Sequence, residues 1–272
     1  MGLGQGGYSL AHNRYSCLCV ILYGDAATTT QQNTGGYSLA NVWTNGFAGV
    51  WHLAGNPLSA RDSTSNANNG AINGAIATTG QVDGAAGFNG SAYIDVPASP
   101  TLNATAGVTL ELWVNPTTVG GPYQALISKA NSDYALLLGV TSASWFYMRM
   151  NGNIGIVGTT APVVANAWNH IVYTADGTHL VLYLNGSQVF NAVNGSLPPV
   201  DSQDVFIGSE AGGAVPLTGA IDEARVSSTV RSPDWVLAEY NNQNSPSTFI
   251  AVGSESGAVA GGTGIKHKVT NQ

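Results

Sequence analysis

The sequence predicts an all-β protein, a sandwich or a barrel. Three observations carry this: many short apolar runs, turn signals between them, and almost no helical periodicity. The 272 residues suit one large β-sandwich, and 44% hydrophobic residues can fill its core. Only 8% of residues are charged, against roughly a quarter in ordinary domains. The polar surface is instead Asn, Ser, Thr and Gly, a composition common in extracellular bacterial proteins. The 15 Asp and Glu outnumber 8 Lys and Arg for a net charge of -7. Such a surface repels phosphate backbones, so nucleic acid is excluded as a partner. No run reaches the ~20 apolar residues of a membrane span.

Taken in order, residues 1–19 read as a poorly ordered, Gly-rich lead and a candidate for foreign sequence. Gly2, Gly4 and Gly7 have dinucleotide-loop spacing, but no strand precedes them and no helix follows. Cys17 and Cys19 are too close to bridge with ordinary geometry. The apolar run from Cys17 to Tyr23 lacks a basic leader and does not read as a signal peptide. The hexapeptide GGYSLA occurs at 6–11 and 35–40, with no physical account of the repeat.

Short strands begin after Val42. Ala85–Asn89 and Ala92–Val96 flank Asn89-Gly90, and Val108–Val114 ends at Asn115-Pro116, where proline stops a ladder. Ala125–Ser128, Tyr134–Val140 and Trp145–Met150 follow. In the last, Trp145, Tyr147 and Arg149 share one face, and Phe146, Met148 and Met150 the other. Leu180–Leu184 and Ser187–Phe190 form a hairpin around Asn185-Gly186, since a type I′ turn needs two residues tolerant of positive φ. Val205–Gly208 and Ala220–Val226 close the series. One short helix is expected at 233–242, with Ser232 as N-cap, Pro233 at N1 and Asp234 in the first turn.

Six blocks carry a resemblance: VWHLAG at 50–55, DSTSNANNG at 62–70, GAAGFNGSAYIDVP at 84–97, TLELWVNP at 109–116, WNHIVYTADGTHLVLYLNG at 168–186 and GAIDEARVSSTVRSPDWV at 219–236. Their succession resembles the LamG-like jelly-roll domains of the concanavalin A-like lectin/glucanase superfamily in bacterial secreted and cell-surface proteins. The resemblance implies a two-sheet antiparallel jelly-roll sandwich over 45–255. Residues 20–44 resemble the tail of an upstream bacterial module of unknown function, and 256–272 read as a flexible tail. Members of the family mostly act as accessory modules that bind glycans or proteins, many with a structural calcium ion.

Two candidate sites follow. Asp62, Asn66 and Asn68 form an oxygen-rich turn, and in similar jelly rolls a cation ties such a loop to the last strand, here carrying Asp222. Calcium takes six to eight oxygens, and an Asx turn capping its own backbone is the alternative. For the ligand, Tyr134, Trp145, Tyr147 and Arg149, near Asn131 and Asp133, could stack sugar rings and read hydroxyls. Trp113 and Trp168 are expected in the core.

A catalytic centre is less legible. His52, His170 and His179 lack the helical spacing of a zinc enzyme. The Glu-x-Asp-x-x-Glu pattern of the related family-16 glucanases is absent, as is a Gly-x-Ser-x-Gly elbow. Glu111 has no acidic neighbour, and Asp222 and Glu223 are expected on opposite strand faces. The sequence therefore points to a non-catalytic module binding a polysaccharide, a glycoconjugate or a protein, secreted or at the cell surface. A hydrolase with an unrecognised acid pair and a structural spacer are the alternatives. A cleft with two carboxylates ~5–10 Å apart would mark the hydrolase. A groove with aromatic rings would mark glycan binding, and a flat filled face the spacer.

Overall fold

The computed structural model describes residues 19–23, 42–129, 134–138, 145–150, 153–193, 197–249, 251–252 and 265–270. Two compact units divide the chain, one formed by 1–32 with 241–272 and the other by 33–240.

In the first unit, Cys19–Tyr23 (β1), Ala251–Val252 (β17) and Ile265–Thr270 (β18) form a three-stranded antiparallel sheet in the order β1-β18-β17. Cys19 is the last residue of the segment read as a lead, and 265–270 lies within the segment read as a tail. Cys19 faces Val269 and Tyr23 faces Ile265 across the ladder. The tail finds its backbone partners almost the whole chain away, and no local pattern signals such pairing.

The larger unit is the jelly-roll sandwich, with every strand pairing antiparallel. Its strands are Phe47–Trp51 (β2), Ala71–Asn73 (β3), Ile76–Thr79 (β4), Gly84–Asn89 (β5), Tyr93–Val96 (β6), Val108–Pro116 (β7), Gln124–Lys129 (β8), Tyr134–Leu138 (β9) and Trp145–Met150 (β10). They continue with Asn153–Gly158 (β11), Asn169–Ala175 (β12), His179–Leu184 (β13), Ser187–Val193 (β14), Val205–Ile207 (β15) and Thr218–Ser227 (β16). One sheet has seven strands, ordered β11-β10-β9-β8-β15-β6-β3. The other has eight, ordered β14-β13-β12-β7-β16-β5-β4, with β2 also paired to β16.

The alternation seen in the sequence decides which side chains face inward. Leu110, Leu112 and Val114 on β7, Ile171 and Tyr173 on β12, and Phe146, Met148 and Met150 on β10 meet in one core. At Asn185-Gly186 both residues have positive φ, 51° and 76°, so the β13–β14 turn is of the expected type. Asn89-Gly90 does something else. It carries the chain from β5 in one sheet to β6 in the other, with the Asn89 carboxamide accepting from the Ser91 and Ala92 amides.

The expected helix is present as Pro233–Asn244 (α1), with the Trp235 amide donating to Ser232 Oγ 3.2 Å away. A short turn of helix, Pro246–Phe249 (α2), follows. Among the described residues, no helix is long and apolar enough to cross a membrane.

Candidate ligand face and its sealed opposite

Each sheet turns one face to the core, which leaves two outer faces to account for. That of the eight-stranded sheet is closed by α1. Val236 packs on Val172 and Tyr183, and Tyr240 stacks on Trp113 with ring centroids 5.8 Å apart. Trp113 is buried as expected, but beneath this helix rather than within the sandwich core. Trp168, also expected in the core, is only partly buried.

Beneath and beside α1 lies a network of charges. A bulge in β16 builds it: Asp222 pairs with Trp113 and Arg225 with Glu111, so two residues, Glu223 and Ala224, stand against Leu112 alone. Glu223 takes the strained φ of 53° that this requires. Ala224 keeps its place in the core, and both Asp222 and Glu223 turn away from it. The expectation of opposite faces assumed a regular strand, and the extra residue removes that regularity.

Arg225 donates to Glu223 Oε2 at 2.6 Å and Glu239 Oε2 at 3.1 Å, and lies 3.5 Å from Glu111 Oε1. His170 Nε2 is 3.0 Å from Glu111 Oε1, and His52 Nδ1 is 2.6 Å from Glu223 Oε1. Trp43 covers the Arg225 guanidinium, with its ring centroid 4.9 Å away. Burial by itself pushes the Glu111 carboxyl up, but Arg225 and His170 together hold it below the ordinary range. Glu223 is likewise pushed up by burial and held low by His52 and Arg225. For Arg225, burial opposes the charge and the three glutamates more than restore it. Each charge here has an opposite charge in reach, which is the condition under which burial is tolerated.

The four predicted cation ligands do not form one site. Asp62 is saturated by its own loop and by β2: Oδ1 accepts from the Val50 and Thr64 amides, and Oδ2 from Thr64 Oγ1 and the Asn68 amide, all within 2.7–3.0 Å. Asn66 and Asn68 donate their amide groups to the Ala48 carbonyl oxygen, at 3.0 and 2.8 Å. These three fit an Asx-rich turn that caps its backbone. Asp222 lies elsewhere, its Oδ2 accepting from the Val82 amide at 2.8 Å and its Oδ1 buried without a partner. Burial, aided by the Glu223 charge, pushes this carboxyl up to about 7. Of the two carboxylates, Asp222 alone keeps an oxygen with no hydrogen-bond partner. Among the described residues, no three His, Cys, Asp or Glu side chains group as metal ligands.

The outer face of the seven-stranded sheet is different. Tyr147 and Arg149 lie on it, as the alternation of β10 requires, above a floor of Ala125, Ala135 and Leu137. The Tyr147 ring meets Tyr123 edge-on at 5.0 Å, and the Arg149 guanidinium sits 5.5 Å from the Tyr147 centroid. Arg149 Nη1 is 3.0 Å from Glu210 Oε1, with side chains 11% and 10% exposed. Neither atom makes an aligned hydrogen bond, so the contact is ionic rather than directional. Next to Tyr123, a cavity of ≈ 510 Å³ is lined by Pro122, Tyr123, Val215 and Pro216, with Thr118 and Thr218 also on its lining.

Tyr134, predicted for this face, is not on it. It pairs with Met150 and is fully buried in the sandwich core, its hydroxyl donating to the Leu102 carbonyl. Residues opposite one another across a ladder share a side, so Tyr134 follows Met150 while Ala135 follows Arg149. Trp145 begins β10 opposite Gly158, and Asn131 and Asp133 lie outside the described residues. Tyr123, Glu210 and Val215 were not among the predicted residues. Tyr123 stands two residues before Ala125 and so shares its strand parity, which is the signal that could have found it.

The fold and this face define a class: an antiparallel jelly-roll sandwich with one outer face covered by a helix and the other carrying a ring pair beside a cavity. The chain belongs to the Laminin_G_3 family of the concanavalin A-like lectin/glucanases superfamily, whose model matches residues 88–237. No curated protein matches the sequence. Among solved structures, it is similar to domain 4 of AbnA, an extracellular arabinanase of Geobacillus stearothermophilus in complex with arabinotriose. That match has TM-score 0.59 and 19% identity, covering 70% of this chain and 96% of that one. It is also similar to the binding domain of Paraclostridial Mosquitocidal Protein 1, with TM-score 0.62 and 15% identity, covering 78% of this chain and 54% of that one. The binding domain of botulinum neurotoxin DC in complex with SialylT follows, at 0.56 and 11%, with 76% and 53% covered. The chain thus spans about half the length of these toxin domains. At these identities the likeness is one of fold.

Proposed function

We propose that the protein is a non-catalytic glycan-binding module of a secreted or cell-surface bacterial protein, with its ligand on the outer face of the seven-stranded sheet. The observation that carries this is the Tyr123–Tyr147 ring pair beside an open, largely apolar cavity, with the charged pair Arg149–Glu210 at its flank. Aromatic rings present flat apolar surface to the C–H face of a sugar, and a few placed polar groups orient it. The glycan complexes of two structural neighbours, with arabinotriose and SialylT, support the ligand class, and the low charge content of the surface supports the location. The test is retention on an array of immobilised polysaccharides and glycoconjugates. The wild type binds at least one class, and Tyr147→Ala reduces that binding at least about tenfold. An array with no binder rejects the reading.

Calcium in this reading is a stabiliser held by Asp222, away from the ligand. Bound there, it would offset the buried carboxylate charge and stiffen the sandwich. Added calcium then raises the melting temperature of the wild type above its chelator-treated value, and the difference vanishes in Asp222→Asn. Equal wild-type melts reject the ion.

A hydrolase is the second reading, favoured by one observation. The Asp95 carboxyl is pushed up by burial and by neighbouring Asp204, and its Oδ1 is buried without a partner. Release of reducing ends from any bound polysaccharide, abolished by Asp95→Asn, would decide for it.

A further inference from the structure

The lining of the cavity beside Tyr123 says which sugars suit it. Of the polar groups there, Gln124 is committed at both ends: its amide nitrogen donates to the Thr118 carbonyl at 3.0 Å and its oxygen accepts from the Thr218 amide at 3.0 Å. It therefore braces the β7–β8 loop against β16 and has its strongest donor and acceptor already engaged. The Tyr123 and Pro122 rings, with Val215 and Pro216, make up most of what remains to make contact, alongside Thr118 and Thr218. The Val215 backbone is pinned by its carbonyl, which accepts from the Ala125 amide at 2.9 Å, and holds a φ of 52°. Val215 thus stands at the junction of the cavity lining and the apolar floor of Ala125, Ala135 and Leu137. The volume of ≈ 510 Å³ lies within the usual range of small-ligand sites, about 300–1,000 Å³.

Charge gives a second constraint. Arg149, the cation beside the Tyr147 ring, is already offset by Glu210, and the chain as a whole carries -7. An anionic sugar would have to compete with Glu210 for its counter-charge. We infer that the cavity receives the methyl-bearing part of a neutral glycan residue, a 6-deoxyhexose or an N-acetylhexosamine, in preference to the unsubstituted or the acidic sugar. This rests on the glycan reading of the same face and goes beyond it by naming the substituent.

The experiment is a calorimetric and ligand-observed NMR titration of the full chain with matched sugars: L-fucose against L-galactose, N-acetylglucosamine against glucose, and galacturonic acid against galactose. At least one methyl-bearing sugar binds about fourfold or more tighter than its partner, the worth of one buried methyl group. Its methyl protons receive the strongest saturation transfer, and galacturonic acid binds no better than galactose. Whether fucose or N-acetylglucosamine shows the preference identifies the source of the methyl. Val215→Thr replaces a methyl of this residue with a hydroxyl, a change in polarity rather than size, and shrinks the preference at least about twofold, with a cooperative melt showing that the variant folds. Equal affinities within both methyl pairs, or tighter binding of galacturonic acid, overturn this inference and leave the glycan reading standing. No binding to any sugar of the panel overturns both.

Discussion

The two outer faces of this sandwich started from the same requirement and met it in opposite ways. Both sheets bury their inner faces in one core, and each has a second face to manage. On the eight-stranded sheet, α1 packs beside a network of Glu111, Glu223, His170 and Arg225, each charge within reach of an opposite one. On the seven-stranded sheet, Tyr147, Arg149 and Tyr123 remain partly exposed beside a cavity. The first face is rich in ionisable groups and is structural. The second has fewer among the described residues and is the ligand candidate. Charged residues alone are thus a poor guide to function here: their pairing and covering decide what they do.

The comparison breaks most readily at Arg225. Arg225→Ala leaves the buried Glu111 and Glu223, and the partly buried Glu239, without their shared partner and destabilises the fold by about 3–5 kcal/mol, read by chemical denaturation. A loss below about 1 kcal/mol would mean that the sealed face is no structural network. Acid attacks the same place more gradually. Glu111 and Glu223 are both held below the ordinary glutamate value of 4.5. Their stabilisation is therefore complete above that pH and is lost as pH falls through their lowered folded-state values. A pH series of melting temperatures shows a decline below about 4.5 that is shallower in Glu111→Gln, which starts from lower stability. Parallel curves would remove Glu111 from the account.

On the open face the expected effect changes kind. Tyr147→Ala costs about 1.4 kcal/mol or more in ligand affinity and leaves the part of the acid profile set by Glu111 and Glu223 unchanged, because the charge over Tyr147 is Arg149, on the other sheet. A shifted acid profile would couple the two faces. Smallest is Ser232→Ala, which removes the α1 N-cap and lowers stability by about 1 kcal/mol, with glycan binding unaffected. A loss of binding in that variant would place the ligand near α1 instead.

Much of the framework was legible because it depends on local periodicity. Phe146, Met148 and Met150 against Tyr147 and Arg149 could be sorted by alternation alone. Ser232-Pro233-Asp234 carried a complete helix start, and Asn185-Gly186 a turn. The site was legible only in part. Tyr134 was grouped with Tyr147 because both are aromatic and near in sequence, yet ladder register with Met150 sends it inward. Asp62 and Asp222 looked like co-ligands, but Asp62 spends its oxygens on its own loop and on β2. Glu223 was read as part of a regular strand, and a bulge without Gly or Pro leaves no mark in the sequence.

What the sequence by itself determined is therefore the all-β class, most strands, the helix and the family, since each rests on patterns within a few residues or on ordered blocks. Tertiary structure alone decided which outer face is sealed, that Tyr123 and Val215 meet beside Tyr147, and that 265–270 pairs with 19–23. These depend on register and on pairings between distant segments. A one-residue shift in either inverts every side chain it governs, and nothing local in the chain encodes it.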